Sequence, residues 1–409
     1  MLSVEAQLET LCRGVVDLHV RRELEERLAT GTPLIVKAGF DPTRPDLHLG
    51  HTVLLEKLRQ FQMLGHRVVF LIGDFTAMVG DPTGQNEARP RLTRQDVKAA
   101  AETYQTQAFK VLDQDKTEVR YNSEWLEKLD FYGMIELGAQ YTVARMLERA
   151  DFAKRYAEQR PIHIHEFMYP LLQGYDSVAL ESDIELGGTD QLFNLLVGRD
   201  IMPRYGKKPQ LVMTTPLLEG IDARLVDGKV VGPKMSKSAN NYVAIDEPAF
   251  DMLQKLMLVD DQVVWRYMEL LSPRTTTELT ELRASVDAGT TDIIAAKEQF
   301  ARDTCERFRG KEDTEAAFAR RRRISAGGVP DDVAEIEVAA TDQRLGLAKA
   351  LQLASMTKST SEAMRLLKQG GVYLEGERVT DPKLTLEKGK RYLVRIGSKK
   401  RRFAYLVVS

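Results

Sequence analysis

Two periods alternate along the first half of the chain, one suited to strands and one to helices. "PLIVKAGF" (33–40) is a short apolar run ended by the turn-forming "DPTRPD", the pattern of a buried strand and its loop. From Gly50 onward Val53, Leu54, Leu58, Phe61 and Leu64 recur at helical spacing, and Gly65 stops the helix. "RVVFLIGDF" (67–75) follows as a β-branched strand. Strand, helix and strand in that order predict a β-α-β unit and a parallel sheet. Residues 90–180 read as mostly helical. The alternation resumes with "SDIELGG" (182–188), a helix over "DQLFNLLVGRDIM" and a strand at "QLVMTTPLL" (210–218).

The second half has a different texture. From Glu247 to about Arg323 the pattern is helical and charged, with no strand candidate. "ISAGGVPDDVAEIEVAATD" (324–342) is small, acidic and turn-rich, as a linker region is. Beyond it "STSEAMRLLKQGG" reads as a helix capped by Ser359, Thr360 or Ser361 and ended by Gly370–Gly371. "VYLEGERV" and "RYLVRIGSKKRRFAYLVV" then alternate around short turns, as antiparallel strands do. The expected fold is α/β: a Rossmann-like, doubly wound parallel sheet with a helical insertion over 1–225. A loop and α-helical domain follow over 226–330, then a linker over 331–344 and a small α+β module over 345–409.

Composition narrows the class. A chain of 409 residues, 43% hydrophobic and 29% charged, can bury a large core in two or three domains. Cys12 and Cys305 are its only cysteines, too few for a disulfide framework, which suits a reducing compartment. No apolar run approaches the roughly 18–20 residues that span a bilayer. The acid-rich, helical N-terminal stretch lacks the character of a secretory signal. A cytoplasmic protein is expected. The net charge of −2 hides an asymmetry: residues 346–409 hold 14 Lys/Arg against 5 Asp/Glu, leaving 44 against 55 upstream. A basic tail on an acidic body is either a solvated face or a handle for a polyanion.

The chemistry begins at "PDLHLGH" (45–51). His48 and His51 stand three apart at a helix start. A zinc site needs three or four ligands, and no H-E-x-x-H or nearby cysteine completes one. His19, His66, His163 and His165 form no ligand pattern either, and "HIH" would face opposite ways on a strand. No metal site is expected. As phosphate ligands the pair is better placed, because free backbone N–H groups at a helix start favour anions. Gly50, lacking a side chain, would let a flat purine lie close to the backbone. A second stretch, "GPKMSKSANNYV" (232–243), places Lys234 and Lys237 in a loop of small and polar residues. Two ammonium groups on such a mobile loop can close over a triphosphate.

Together "HLGH" and "KMSKS", in this order on an alternating fold, resemble the two signatures of the class I aminoacyl-tRNA synthetases. "GFDPTRPDLHLGH", "GDPTG", "YPLLQGYDSV", "GGTDQ" and "KMSKS", with the basic tail, are similar to the bacterial tyrosyl-tRNA synthetases over nearly the whole chain. The resemblance implies a tyrosine–tRNA ligase: ATP, with Mg2+, activates tyrosine to an adenylate, and the acyl group then passes to tRNA. No tightly bound cofactor is implied. His48, His51 and Thr43 would contact the ATP phosphates, Gly50 the adenine, and Lys234 and Lys237 the pyrophosphate. Asp190 would hold the ribose, with Gly188 beside it, and Gln191 would lie near the tyrosyl carbonyl. Tyr169, Gln173 and Asp176, spaced along one helical stripe, would face the amino acid. Tyr169, Gln173 and Asp81 would meet its ammonium, and Asp176 would accept from its phenol. Pro170 either begins this helix or kinks it.

The tail from about Leu345 resembles the ribosomal S4-type RNA-binding module. Lys358, Arg365, Lys368, Lys399, Lys400, Arg401 and Arg402 are its candidate tRNA contacts. A homodimer is implied, with the apolar stripe "DFYGMIELGAQYTVARML" (130–147) as candidate surface, although core packing explains that stripe as well. Two positions depart from the family pattern. Lys37 stands where many members carry a tyrosine that meets the substrate hydroxyl. Gln85 replaces a basic residue, leaving Arg89 as a possible substitute. A tryptophan-specific relative would lack Asp176. A nucleotidyltransferase would not join "KMSKS" to an RNA-binding tail, and a non-enzymatic RNA-binding relative would show eroded motifs.

Overall fold

The structure is a computed structural model describing residues 2–42, 46–83, 92–326, 329, 333–340, 342–397 and 402–409. Thr43, Gln85, Arg89, Lys399, Lys400 and Arg401 lie outside the described residues. Two units result, 1–314 and 315–409.

The first unit is built on a six-stranded sheet of β1 (Asp17–His19), β2 (Ile35–Phe40), β3 (Arg67–Ile72), β4 (Thr117–Tyr121), β5 (Ile184–Gly188) and β6 (Leu211–Thr215). Their spatial order is β1-β6-β5-β2-β3-β4, all parallel except β1. Helix Leu49–Met63 carries the chain from β2 to β3, Arg94–Ala108 from β3 to β4, and Leu192–Ile201 from β5 to β6. Val68 to Ile72 and Leu211 to Met213 are buried throughout, which is why these strands read as continuous apolar runs. The long β4–β5 connection contains the helices Phe131–Ala139, Ala150–Ala157 and Ile164–Leu180.

Two strands differ from the sequence reading. β4 lies inside the stretch expected to be mostly helical. Its sequence "TEVRY" is polar because it forms the sheet edge, where Arg67 and Arg120 pair with Glu118. β1 interrupts the helical N-terminal stretch and is equally peripheral. Pro170 lies in the body of Ile164–Leu180. His163 and His165 flank that helix's start, with rings stacked at 5.6 Å, rather than alternating along a strand.

After β6 comes a hairpin, β7 (Arg224–Val226) and β8 (Lys229–Val231), turned by Asp227 and Gly228, both at positive φ. The helices Ala249–Leu258, Val264–Leu271, Thr276–Asp287 and Ile293–Arg309 follow, and Lys311–Ser325 continues into the second unit. Among the described residues no helix is long and apolar enough to cross a membrane.

The second unit contains β9 (Glu335–Val338), β10 (Arg344–Gly346), β11 (Val372–Leu374), β12 (Glu377–Val379), β13 (Thr385–Glu387), β14 (Arg391–Ile396) and β15 (Arg402–Val408). Five of them form a sheet ordered β12-β11-β14-β15-β9, while β10 pairs with β13. The stretch expected as linker is thus partly strand: β9 runs parallel to β15, and Val338 enters the unit's core beside Leu406 and Val408. Its "EIEV" alternation is the signal that the acidic, turn-rich surroundings mask. Helix Thr360–Lys368 begins at Ser359, whose hydroxyl accepts from Glu362 N–H at 3.2 Å.

Candidate functional site

Connections leave the β2–β5 border in opposite directions, β2 toward β3 and β5 toward β6, which makes this border the switch point of the sheet. The strands pair only through Val36–Ile184 and Lys37–Glu185, then part toward their C-terminal ends. Open α/β sheets hold their ligand crevice at such a fork, beyond the carboxyl ends of the strands, here next to the "GGTDQ" turn after β5.

His48 caps the helix that follows β2, with backbone that is extended rather than helical. Its Nδ1 accepts from Gly50 N–H at 3.2 Å, and His51 Nδ1 accepts from His48 N–H at 3.1 Å. Both δ nitrogens are therefore acceptors, so each neutral ring carries its proton on Nε2. Burial, aided for His48 by His51 and for both by the two lysines, lowers His48 to about 2 and His51 to about 4. At neutral pH the two rings, 3.9 Å apart between centroids, are uncharged donors. Gly50 serves this arrangement directly. A Cβ there would lie 3.0 Å from the His48 ring and 3.6 Å from Met235 Cβ.

The lysine loop is tied to the histidine segment through the backbone. Leu49 N–H donates to Val243 at 3.0 Å and Ile245 N–H to Leu47 at 3.2 Å. Asn241, buried, accepts from Ser236 N–H at 2.8 Å and donates to Asp222 at 3.0 Å, pinning the turn. Met235 is buried and its N–H donates to Leu218. The lysines on either side reach across: Lys237 pairs with Asp46 at 3.0 Å and Lys234 with Asp190 at 2.9 Å. The histidines, both lysines and Asp190 thus share one rim of the crevice.

The stripe on Ile164–Leu180 forms another wall. Glu166 fixes the start of this helix, accepting from His163 N–H at 2.8 Å and from Arg155. Tyr169 is buried and its hydroxyl donates to Asp41 at 2.9 Å; burial and the nearby carboxylates raise its phenol well above the ordinary value. Asp176 is buried, and its oxygens accept from Trp125 Nε1 at 2.8 Å and Asn122 Nδ2 at 3.3 Å. Burial pushes its carboxyl up to about 7, against the opposing influence of Lys37, Trp125 and Asn122. Gln191 donates to Asp81 at 2.8 Å and accepts from Asn194 at 2.9 Å. Gln173 donates to Glu185 at 3.3 Å.

Sequence reasoning missed Asp41, Asp46, Asn122, Trp125 and Glu185. Asn122 and Trp125 follow the unrecognised strand β4. Glu185 had a visible signal, a carboxylate inside an apolar strand, which demands a buried partner. In the second unit Lys358, Arg365, Lys368 and Arg402 are all exposed, and Arg402 donates to the Met356 carbonyl beside Lys358.

The sequence model of the family described as tRNA synthetases class I (W and Y) matches residues 29–321, and that of the S4 domain matches 345–391. The tyrosine–tRNA ligase of Geobacter sulfurreducens is 52% identical over 410 residues, covering 98% of this chain and 99% of its own length. That of Thiobacillus denitrificans is 51% identical over 406 residues, covering 99% and 100%. A C-terminally truncated mitochondrial tyrosyl-tRNA synthetase of Aspergillus nidulans superposes with a TM-score of 0.65 at 23% identity, over 79% of this chain and 94% of its own. The tyrosyl-tRNA synthetase of Archaeoglobus fulgidus complexed with L-tyrosine gives 0.61 at 19% identity, over 77% and 99%. At these identities the superpositions speak for the fold alone.

Proposed function

The chain belongs to the class I tRNA synthetases of the tryptophan and tyrosine group, and from its likeness along nearly its whole length to tyrosine–tRNA ligases we propose that it is one of them. ATP enters as its Mg2+ complex. The tyrosine carboxylate attacks the α-phosphorus, the bond to the β,γ-diphosphate breaks, and tyrosyl-adenylate and pyrophosphate form. The terminal ribose of tRNA then attacks the acyl carbon and releases AMP. Positioning and stabilisation of charge on the departing pyrophosphate carry the first step.

The observation that carries the reading is the meeting of the histidine pair, both loop lysines and Asp190 at the end of the sheet, beside the Tyr169–Asp176 stripe. His48 and His51 donate Nε2–H to the phosphates, with Thr43 assigned alongside them. Lys234 and Lys237 exchange Asp190 and Asp46 for the pyrophosphate oxygens, which frees Asp190 for the ribose between Gly188 and the adenine over Gly50. Asp81, Tyr169 and Gln173 take the ammonium, and Gln191 the carbonyl side. Asp176 accepts from the phenol, which favours tyrosine over tryptophan, whose indole places no hydroxyl there.

Lys358, Arg365, Lys368 and Arg402, with Lys399, Lys400 and Arg401, bind tRNA backbone by charge. A homodimer completes the proposal. Phe131, Tyr132, Ile135 and Val143 of the expected stripe are exposed, as is Ile164, with Phe131 at 84% and Ile164 at 82%. Apolar exposure on that scale suits a subunit contact rather than the core. The proposed location is cytoplasmic, where charged tRNA is used. Charging of tRNA with labelled tyrosine tests the whole: tyrosine acceptance is expected, and acceptance of tryptophan instead would reassign the specificity.

A further inference from the structure

Lys37 interrupts an apolar strand, and the structure shows what receives it. Its ammonium lies 2.6 Å from Glu185 Oε1, with the two side chains 0% and 1% exposed. They face each other across β2 and β5 in the last register pair before the strands part. The pair therefore forms the floor of the crevice. A buried ion pair gains little stability over an apolar pair of similar volume, so folding alone does not account for it.

Glu185 is occupied on both oxygens. Oε1 meets Lys37 and accepts from Gln173 Nε2 at 3.3 Å. Oε2 accepts from Ser177 Oγ at 3.0 Å and from Gln210 Nε2, and Gln210 Oε1 in turn accepts from Ser182 at 2.7 Å. The cluster is packed down to Gly198, where a Cβ would come within 2.8 Å of Gln210 Nε2 and 3.1 Å of Ser177 Oγ. A carboxylate only accepts, so Gln173 must turn its NH2 toward Glu185 and its carbonyl oxygen away. The partner of Glu185 thus has its amide orientation dictated from below.

We propose that the Lys37–Glu185 pair is a positioning device for the α-ammonium of the amino-acid substrate: it locks the Gln173 amide so that a carbonyl oxygen, an acceptor, faces the ammonium. Lys37 holds the carboxylate and Glu185 holds the amide. Neither touches the substrate. The proposal rests on the reading of the chain as a tyrosine-activating enzyme.

The test is the double variant Lys37→Met/Glu185→Gln, which removes both charges together at nearly constant volume. In pyrophosphate exchange the KM for tyrosine should rise about tenfold, the loss of one hydrogen bond to a charged group. The KM for ATP and the rate at saturating tyrosine should hold. Inhibition by 3-(4-hydroxyphenyl)propionate, which is tyrosine without its amine, should be unchanged. Equal weakening of tyrosine and this analogue means that the pair merely shapes the pocket and overturns the proposal, as does unchanged tyrosine affinity. If the double variant lacks a cooperative melt, Lys37→Gln/Glu185→Gln serves: two neutral amides can still hydrogen-bond across the strands, no carboxylate dictates the Gln173 amide, the opposing influences of the two charges on Asp176 leave together, and the same two outcomes decide. Unmodified protein that exchanges pyrophosphate without tyrosine defeats the functional reading itself, before any variant is made.

Discussion

In the proposed function Asp176 carries the selection of the substrate phenol on one carboxylate. Ionised, it accepts from a phenol; protonated, it offers that phenol less. With its carboxyl near 7, kcat/KM for tyrosine should fall as pH drops from 8 to 6. Asp176→Asn should flatten this dependence and lower tyrosine kcat/KM by roughly ten- to a hundredfold, as expected for one charged hydrogen bond. The same group acts on stability with a definite sign. Its folded value lies above the ordinary 3.8, so the contribution of the neutral carboxyl is complete below about 4 and lost as pH rises through about 7. Asp176→Asn should therefore raise Tm more at pH 8 than at pH 5, which a pair of melts decides. The histidines predict the opposite of a titration. Held near 2 and 4, they should leave kcat/KM for ATP flat from pH 6 to 8 at saturating tyrosine, and a limb near 6.5 would make them cations. Lys237→Ala should slow adenylate formation by about one to two powers of ten while tyrosine binding holds, measured in a single turnover.

Glycine and strand positions show how far the elements were legible. β2, β3, β5 and β6 announced themselves because central parallel strands are buried on both faces and read as apolar runs. β1 and β4 did not, because edge strands keep their polar residues. With β4 went Asn122 and Trp125, the partners of Asp176. β9 was hidden by length: four residues in acidic surroundings carry too few alternations to stand out. Gly50 was legible as a close approach, but its neighbour in the structure is the His48 ring. Gly50→Ala should accordingly leave the melt within a few degrees of the parent while slowing adenylate formation, because the clash falls on the His48 ring, the proposed phosphate donor. Full activity in that variant would show that the His48 cap can move without consequence.

Across the molecule, the motifs for activation and the charge for RNA are segregated. Every residue assigned to ATP or tyrosine lies before Asn240, and the basic excess lies beyond Leu345. That separation was plain from the sequence, whereas the place to cut was not. A truncation near Asp342 would leave β9 without β15, so the cut belongs after Ala326. The shortened protein should form adenylate at close to the parent rate and lose most tRNA charging, with a flatter salt dependence because fewer phosphates are neutralised. Loss of adenylate formation would make the tail a structural support. The central claim, that the crevice at the β2–β5 fork activates tyrosine with ATP, is tested most directly by pyrophosphate exchange into ATP with each of the twenty amino acids in turn. Exchange should depend on tyrosine, with phenylalanine and tryptophan near background. Equal rates for phenylalanine and tyrosine, or exchange driven by tryptophan, would contradict it.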